Sequence, residues 1–108
     1  MLMQTTNIFQ KIKEKLPKEL FEVLVKTENI RIERIISDGH HSPADFYYEQ
    51  DNNEFVIVLQ GEAVLEFLEE NKTITLKTGD YINILSGVKH RVVSTTTKGK
   101  TVWLAIFY

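Results

Sequence analysis

The chain has 108 residues, enough for one domain and one hydrophobic core but not for a second. Hydrophobic residues make up 43%, and 13 basic against 15 acidic side chains leave a net charge of −2, a balance that fits a folded globular protein and argues against nucleic-acid binding. The absence of cysteine excludes disulfides, thiolate metal sites and cysteine nucleophiles, and no apolar run approaches the roughly 18 residues that would span a membrane.

The first quarter, residues 1–28, reads as a helical segment. Ile8, Ile12 and Leu16 recur at four-residue spacing, and Leu20, Phe21, Leu24 and Val25 form a second apolar stripe. Pro17 fits the first position of a second short helix, where its missing N–H would have no partner anyway. Lysines 11, 13, 15 and 18 alternate with Glu14 and Glu19, which reads as a solvated face. The expected role of the segment is to pack on the rest of the domain or on a partner subunit. Residues Met1–Asn7 lack the charged start and apolar core of a secretory signal, so a cytoplasmic location is expected.

From Asn29 the texture changes to short β-branched runs separated by turn signals. The predicted strands are Ile30–Ser37, Phe46–Tyr48, Glu54–Leu59, Ala63–Glu69, Thr73–Leu76, Tyr81–Ile84, His90–Thr95 and Thr101–Tyr108. Asp38-Gly39, Asp51-Asn52-Asn53, Gln60-Gly61, Asn71-Lys72, Thr78-Gly79-Asp80 and Lys98-Gly99 supply the turns. So many short strands in residues 29–108 imply an all-β fold, a small antiparallel barrel, either closed or of jelly-roll type, that protects its sheet edges. The last strand is apolar on both faces. One face fills the barrel, and the other needs the N-terminal segment or a second subunit as cover, so a homodimer is expected.

Two sets of residues carry chemistry. His40 and His41 precede Ser42-Pro43, and His90 follows Gly87-Val88-Lys89. Glu54 opens the apolar strand Glu54–Leu59 and shares a face with Val56 and Val58. If that face lines the barrel, its carboxylate must be paired, protonated or bound to a cation; the alternative is a half-solvated place at the strand mouth.

At these residues the chain resembles the cupin superfamily, over roughly Gly39 to Ser94. The family's two motifs run G-x5-H-x-H-x3-4-E-x6-G and G-x5-P-x-G-x2-H-x3-N. Glu54 stands in the first with Gly61 at the family spacing, and Gly79, Gly87 and His90 keep the spacing of the second. The resemblance implies a divalent metal (Fe, Mn, Ni or Zn) inside the barrel, with Glu54 and His90 at two of the four ligand positions. The other two positions fall on Tyr48 and Gln50, the motif proline is Leu85, and the closing asparagine is Ser94. Three arrangements follow. His40 or His41 joins Glu54 and His90 around a metal. Alternatively, Tyr48 and Gln50 act as weak oxygen ligands or orient a water. In the third, Glu54, His90, Tyr48 and Gln50 form a metal-free polar patch for a small molecule. Phe46, beside Tyr47 and Tyr48, is a candidate pocket aromatic.

The resemblance implies a small-molecule binding barrel, with two alternatives: a metal-dependent enzyme of the dioxygenase, isomerase, epimerase or lyase type, and a structural dimerisation module. The family fold hosts all three.

Overall fold

A computed structural model of the chain describes residues 2–108. Its strands are β1 Leu20–Lys26, β2 Arg31–Ser37, β3 Glu54–Gln60, β4 Glu62–Phe67, β5 Lys72–Lys77, β6 Tyr81–Ile84, β7 His90–Thr95 and β8 Thr101–Phe107. They form a five-stranded sheet in the order β1-β2-β8-β3-β6 and a three-stranded sheet in the order β5-β4-β7. All the pairings are antiparallel. Among the described residues no helix is long and apolar enough to cross a membrane.

Alternation builds the core. In β3, Glu54, Val56 and Val58 are buried while the residues between them are only partly covered. In β8, Trp103, Ala105 and Phe107 join Ile35, Val56, Val58, Leu65 and Phe67 between the sheets. The β3–β4 turn depends on Gly61, at φ +93°, where a Cβ would lie 2.8 Å from Thr101 Cα and 2.9 Å from the Lys100 carbonyl. Both contacts are backbone, so only glycine fits there.

The N-terminal helices are not formed. Residues 7–18 run as turns, bends and irregular chain, and Leu20–Lys26 is a strand paired along β2. The stripe itself is real, since Ile8, Ile12 and Leu16 are the partly covered positions between residues 2 and 18. Arg34 explains the difference. Its guanidinium donates to the carbonyls of Ile8 at 2.8 Å and Gln10 at 2.7 Å, acceptors that a helix would need for itself. Lys11 adopts a left-handed φ of 56°, and so short a helix is marginal without packing. Because Arg34 lies on the outer face of β2 with Ile36, the segment crosses that face, where Ile36 and Val102 are fully buried. This covers part of the outer face of the last strand, at Val102, while Leu104 and Ile106 on the same face stay partly exposed.

The expected strand Phe46–Tyr48 is reduced to one bridge, Tyr48 to His90. The other predicted strands form with shifts of at most two residues at their ends.

Candidate functional site

His90 opens β7 and is only 4% exposed. Its backbone pairs with Tyr48, whose N–H donates to the His90 carbonyl at 2.6 Å while the His90 N–H donates back at 3.0 Å. The bridge lays the loop before β3 along the edge of the smaller sheet. The Gly87 N–H then donates to the Gln50 carbonyl at 2.8 Å, and Ser86 Oγ donates to the Asp51 carbonyl at 2.8 Å. The turn that ends at His90 therefore also fixes Tyr48 and Gln50.

These contacts bring four side chains together. Gln50 Nε2 donates to Glu54 Oε1 at 3.0 Å, and His90 Nε2 stands 3.5 Å from the same oxygen. His90 Nδ1 donates to the Val88 carbonyl at 3.0 Å, which leaves Nε2 as the nitrogen that gains or loses a proton. The imidazole lies between the Tyr48 ring, stacked at 5.6 Å, and the Phe67 ring at 6.1 Å. Burial pulls the His90 pKa down, but the Glu54 bond, the Val88 carbonyl and the Glu54 charge outweigh it, so the net shift is upward. The Tyr48 phenol is pushed above its ordinary range, first by burial and then by the charges of Glu19 and Glu54, against a smaller effect of Ser42.

The four side chains line a cavity of about 70 Å³ inside the barrel. Apolar walls come from Phe21, Ile35, Val56, Leu65, Trp103 and Phe107 among others, and Glu19 adds a second carboxylate. Glu19 is held by a buried relay in which Trp103 Nε1 donates to Ser37 Oγ at 3.1 Å and Ser37 Oγ donates to Glu19.

Of the residues singled out in the sequence, Glu54, His90, Tyr48 and Gln50 meet at the cavity. His40, His41 and Phe46 do not line it. His40 Nδ1 accepts the Asp38 N–H at 2.9 Å, and its carbonyl accepts the Thr95 hydroxyl at 2.6 Å. Ser42 is pinned to Val92 through two bonds, and His41 is left in solvent. Phe46 is 44% exposed, with its ring edge-on to Tyr48. Sequence reasoning missed Glu19, Phe21 and Trp103. The alternation of Phe21, Val23 and Val25 was the available strand signal for the first two, and the position of Trp103 on the Ala105–Phe107 face for the third.

The donor set does not suit the divalent metal that the fold family implies. Glu54 and His90 supply two good ligands, Gln50 turns its amide N–H rather than its oxygen to Glu54, Glu19 is tied to Ser37, and among the described residues no three His, Cys, Asp or Glu side chains are grouped to hold an ion.

Fold and site together define a small antiparallel β-barrel with a polar cluster on the wall of an apolar cavity. The family model described as Cupin domain matches residues 35–107, and the chain belongs to this family. A protein from Ralstonia eutropha, provisionally named a mannose-6-phosphate isomerase, is 32% identical, with 97% of each chain covered and a TM-score of 0.93. A cupin superfamily protein from Desulfitobacterium hafniense is 23% identical over 89% of this chain and 82% of its own, with a TM-score of 0.73. An RmlC-like cupin from Methanocaldococcus jannaschii shares the double-stranded β-helix fold at 18% identity over 99% of this chain and 91% of its own, with a TM-score of 0.71. The search of curated proteins found no match.

Proposed function

We propose that the chain is a small-molecule binding cupin whose cavity works without a metal. The observation that carries this reading is the convergence of Tyr48, Gln50, Glu54 and His90 at one cavity, where Gln50 and Tyr48 stand at the two positions that the family motif gives to histidine. A glutamine amide bonded to the carboxylate serves as an orienting group, and a half-buried tyrosine supplies a hydrogen-bonding tip on an apolar body. Pockets of this composition, mostly apolar with a few placed polar groups, are the usual form of a ligand site. The test is elemental analysis of protein purified without chelator or affinity nickel, before and after incubation with Fe(II), Mn(II), Ni(II) and Zn(II), alongside a thermal-shift screen of small polar compounds. Saturable stabilisation by a compound, weakened in Glu54→Gln, supports the reading. Near-stoichiometric metal that disappears in His90→Ala overturns it.

One observation favours a second reading, turnover by proton transfer. His90 presents a single titrating nitrogen to Glu54, and against burial the Glu54 bond and the Val88 carbonyl raise its pKa above the ordinary imidazole value. The Ralstonia eutropha relative carries an isomerase name. A phosphosugar, however, would set a dianion against Glu19 and Glu54 with no lysine or arginine on the cavity wall. That substrate is therefore not carried over. An enzyme of this kind loses turnover in Glu54→Gln while keeping its fold.

A further inference from the structure

We infer that the cavity takes a small organic cation, a primary amine or quaternary ammonium compound, in preference to an anion or a neutral polyol. The inference rests on the reading of the cavity as a ligand site and gives that ligand its charge.

Charge comes first. Two carboxylates, Glu19 and Glu54, line the cavity, and no lysine or arginine does. His90 is the one lining group that can carry a positive charge, so at least one negative charge stays uncompensated in either of its forms. Each carboxylate has one oxygen engaged, Oε2 of Glu19 by Ser37 and Oε1 of Glu54 by Gln50 and His90. Among the described residues nothing bonds Oε1 of Glu19 or Oε2 of Glu54. Carboxylate oxygens beside a low-dielectric wall favour a cationic donor and penalise an anion. The upward push of both glutamates on the Tyr48 phenol reports the same negative field.

The walls agree. Phe21, Tyr48 and Trp103 line the cavity, and aromatic faces attract a cation through the ring quadrupole. Arg31 shows the effect beside the cavity, where its guanidinium lies 4.3 Å over the Phe107 ring and pairs with Glu33 at 2.6 Å. That charge is neutralised by its own partner, and Arg31 does not line the cavity. A neutral polyol would use the hydrogen-bonding groups but gain nothing from the surplus charge or the ring faces. Size sets the last limit, since about 70 Å³ has room for only a few water-sized groups. Only a compact ligand fits.

Trp103 is the sole tryptophan and stands in the cavity wall, so its emission reports occupancy directly. The experiment titrates the full chain with ethylammonium, tetramethylammonium, glycerol and inorganic phosphate at constant ionic strength. The expected result is a saturable change with an ammonium probe and none with phosphate or glycerol. Glu19→Gln should weaken that probe by about tenfold or more, the loss of one charge-assisted contact. Phe21→Leu, at a half-exposed position that the core does not require, should weaken tetramethylammonium several-fold and serves if Glu19→Gln does not fold. Glycerol or phosphate binding as tightly as the ammonium probes overturns the cationic assignment and leaves the binding site standing. Failure of all four probes while the compound screen finds another ligand also overturns the assignment alone. Failure of both removes the binding reading with it.

Discussion

Two clusters built from similar residue types lie back to back across β7. Inside are Tyr48, His90 and Glu54; outside are Tyr47, Arg91 and Glu66, so the tyrosines and the basic groups are sequence neighbours pointing opposite ways. In the outer cluster the Tyr47 hydroxyl and Arg91 Nε both donate to Glu66 Oε1, at 3.0 and 2.9 Å. The Arg91 bond holds the Glu66 carboxyl below its ordinary range, and the Glu66 bond raises both the Tyr47 phenol and the Arg91 guanidinium. Hydrogen bonds lead each of those shifts. In the inner cluster burial is the largest influence on both His90 and Tyr48. The outer trio is closed on itself with its partners satisfied, whereas the inner one keeps a carboxylate oxygen and a titrating nitrogen facing a cavity. Similar donors and acceptors thus become a surface clasp on one side and a ligand site on the other, and water access makes the difference.

The sharpest way to break the comparison is to remove the basic member on each side. His90→Ala leaves Glu54 buried with only Gln50 as partner and opens space between Tyr48 and Phe67. Losing one member of a buried pair costs about 3 kcal/mol or more, so urea denaturation should show a large drop in midpoint. A drop no larger than that of the outer variant would mean that the inner cluster is as well hydrated as the outer.

Acidity should separate the clusters by sign. His90 has a raised pKa in the folded chain, so its contribution to stability is full below the unfolded value of about 6.5 and fades as pH rises through the folded value. Glu66 has a lowered pKa, so its contribution is present above the ordinary carboxylate range and is lost as pH falls through the folded value. The stability difference between wild type and His90→Gln, measured by urea denaturation from pH 5.5 to 8.5, should therefore shrink toward the alkaline end. The difference for Glu66→Gln should stay flat over that range and shrink only in stronger acid. A His90 difference that grows with pH would reverse the assignment of Glu54 as its stabilising partner.

The sequence made this inner cluster readable in part because strand alternation and turn glycines are local signals. Alternation put Glu54 on one face with Val56 and Val58 but left it either inside the barrel or at the strand mouth, and His90 came to it through the family spacing of Gly79, Gly87 and His90. Gln50 and Tyr48 became visible through the family motif, which marks positions and not residue types. His40 and His41 were open to misreading because a loop's direction depends on distant bonds, here Ser42 to Val92 and the His40 carbonyl to Thr95. Glu19 was hidden for another reason. The four-residue period of Ile8, Ile12 and Leu16 matches their burial but not their conformation, since Arg34, far along the chain, captures the carbonyls a helix would use. Tertiary competition of that kind leaves no trace in a local pattern, and it turned Glu19 from a supposed solvated face toward the cavity.

The smallest effect is expected from Arg91→Ala, and its smallness is what the comparison requires. Arg91 and Glu66 face each other across β7 and β4, with the ion pair partly covered but more exposed than His90 and Glu54. Pairs that keep contact with water contribute little because solvent screens them and their side chains lose entropy on pairing. Arg91→Ala should barely move the urea midpoint, should leave Trp103 emission unchanged, and should leave the response to ammonium probes as in wild type. Whatever small stability change it makes should diminish further in about 1 M salt, where screening reaches within a few ångströms. The cavity variants should keep most of their effect in the same salt, because burial shields their partners from it. Should Arg91→Ala weaken probe binding, the two sides of β7 would be coupled through its backbone, and the outer clasp would be part of the site rather than its solvent-facing counterpart.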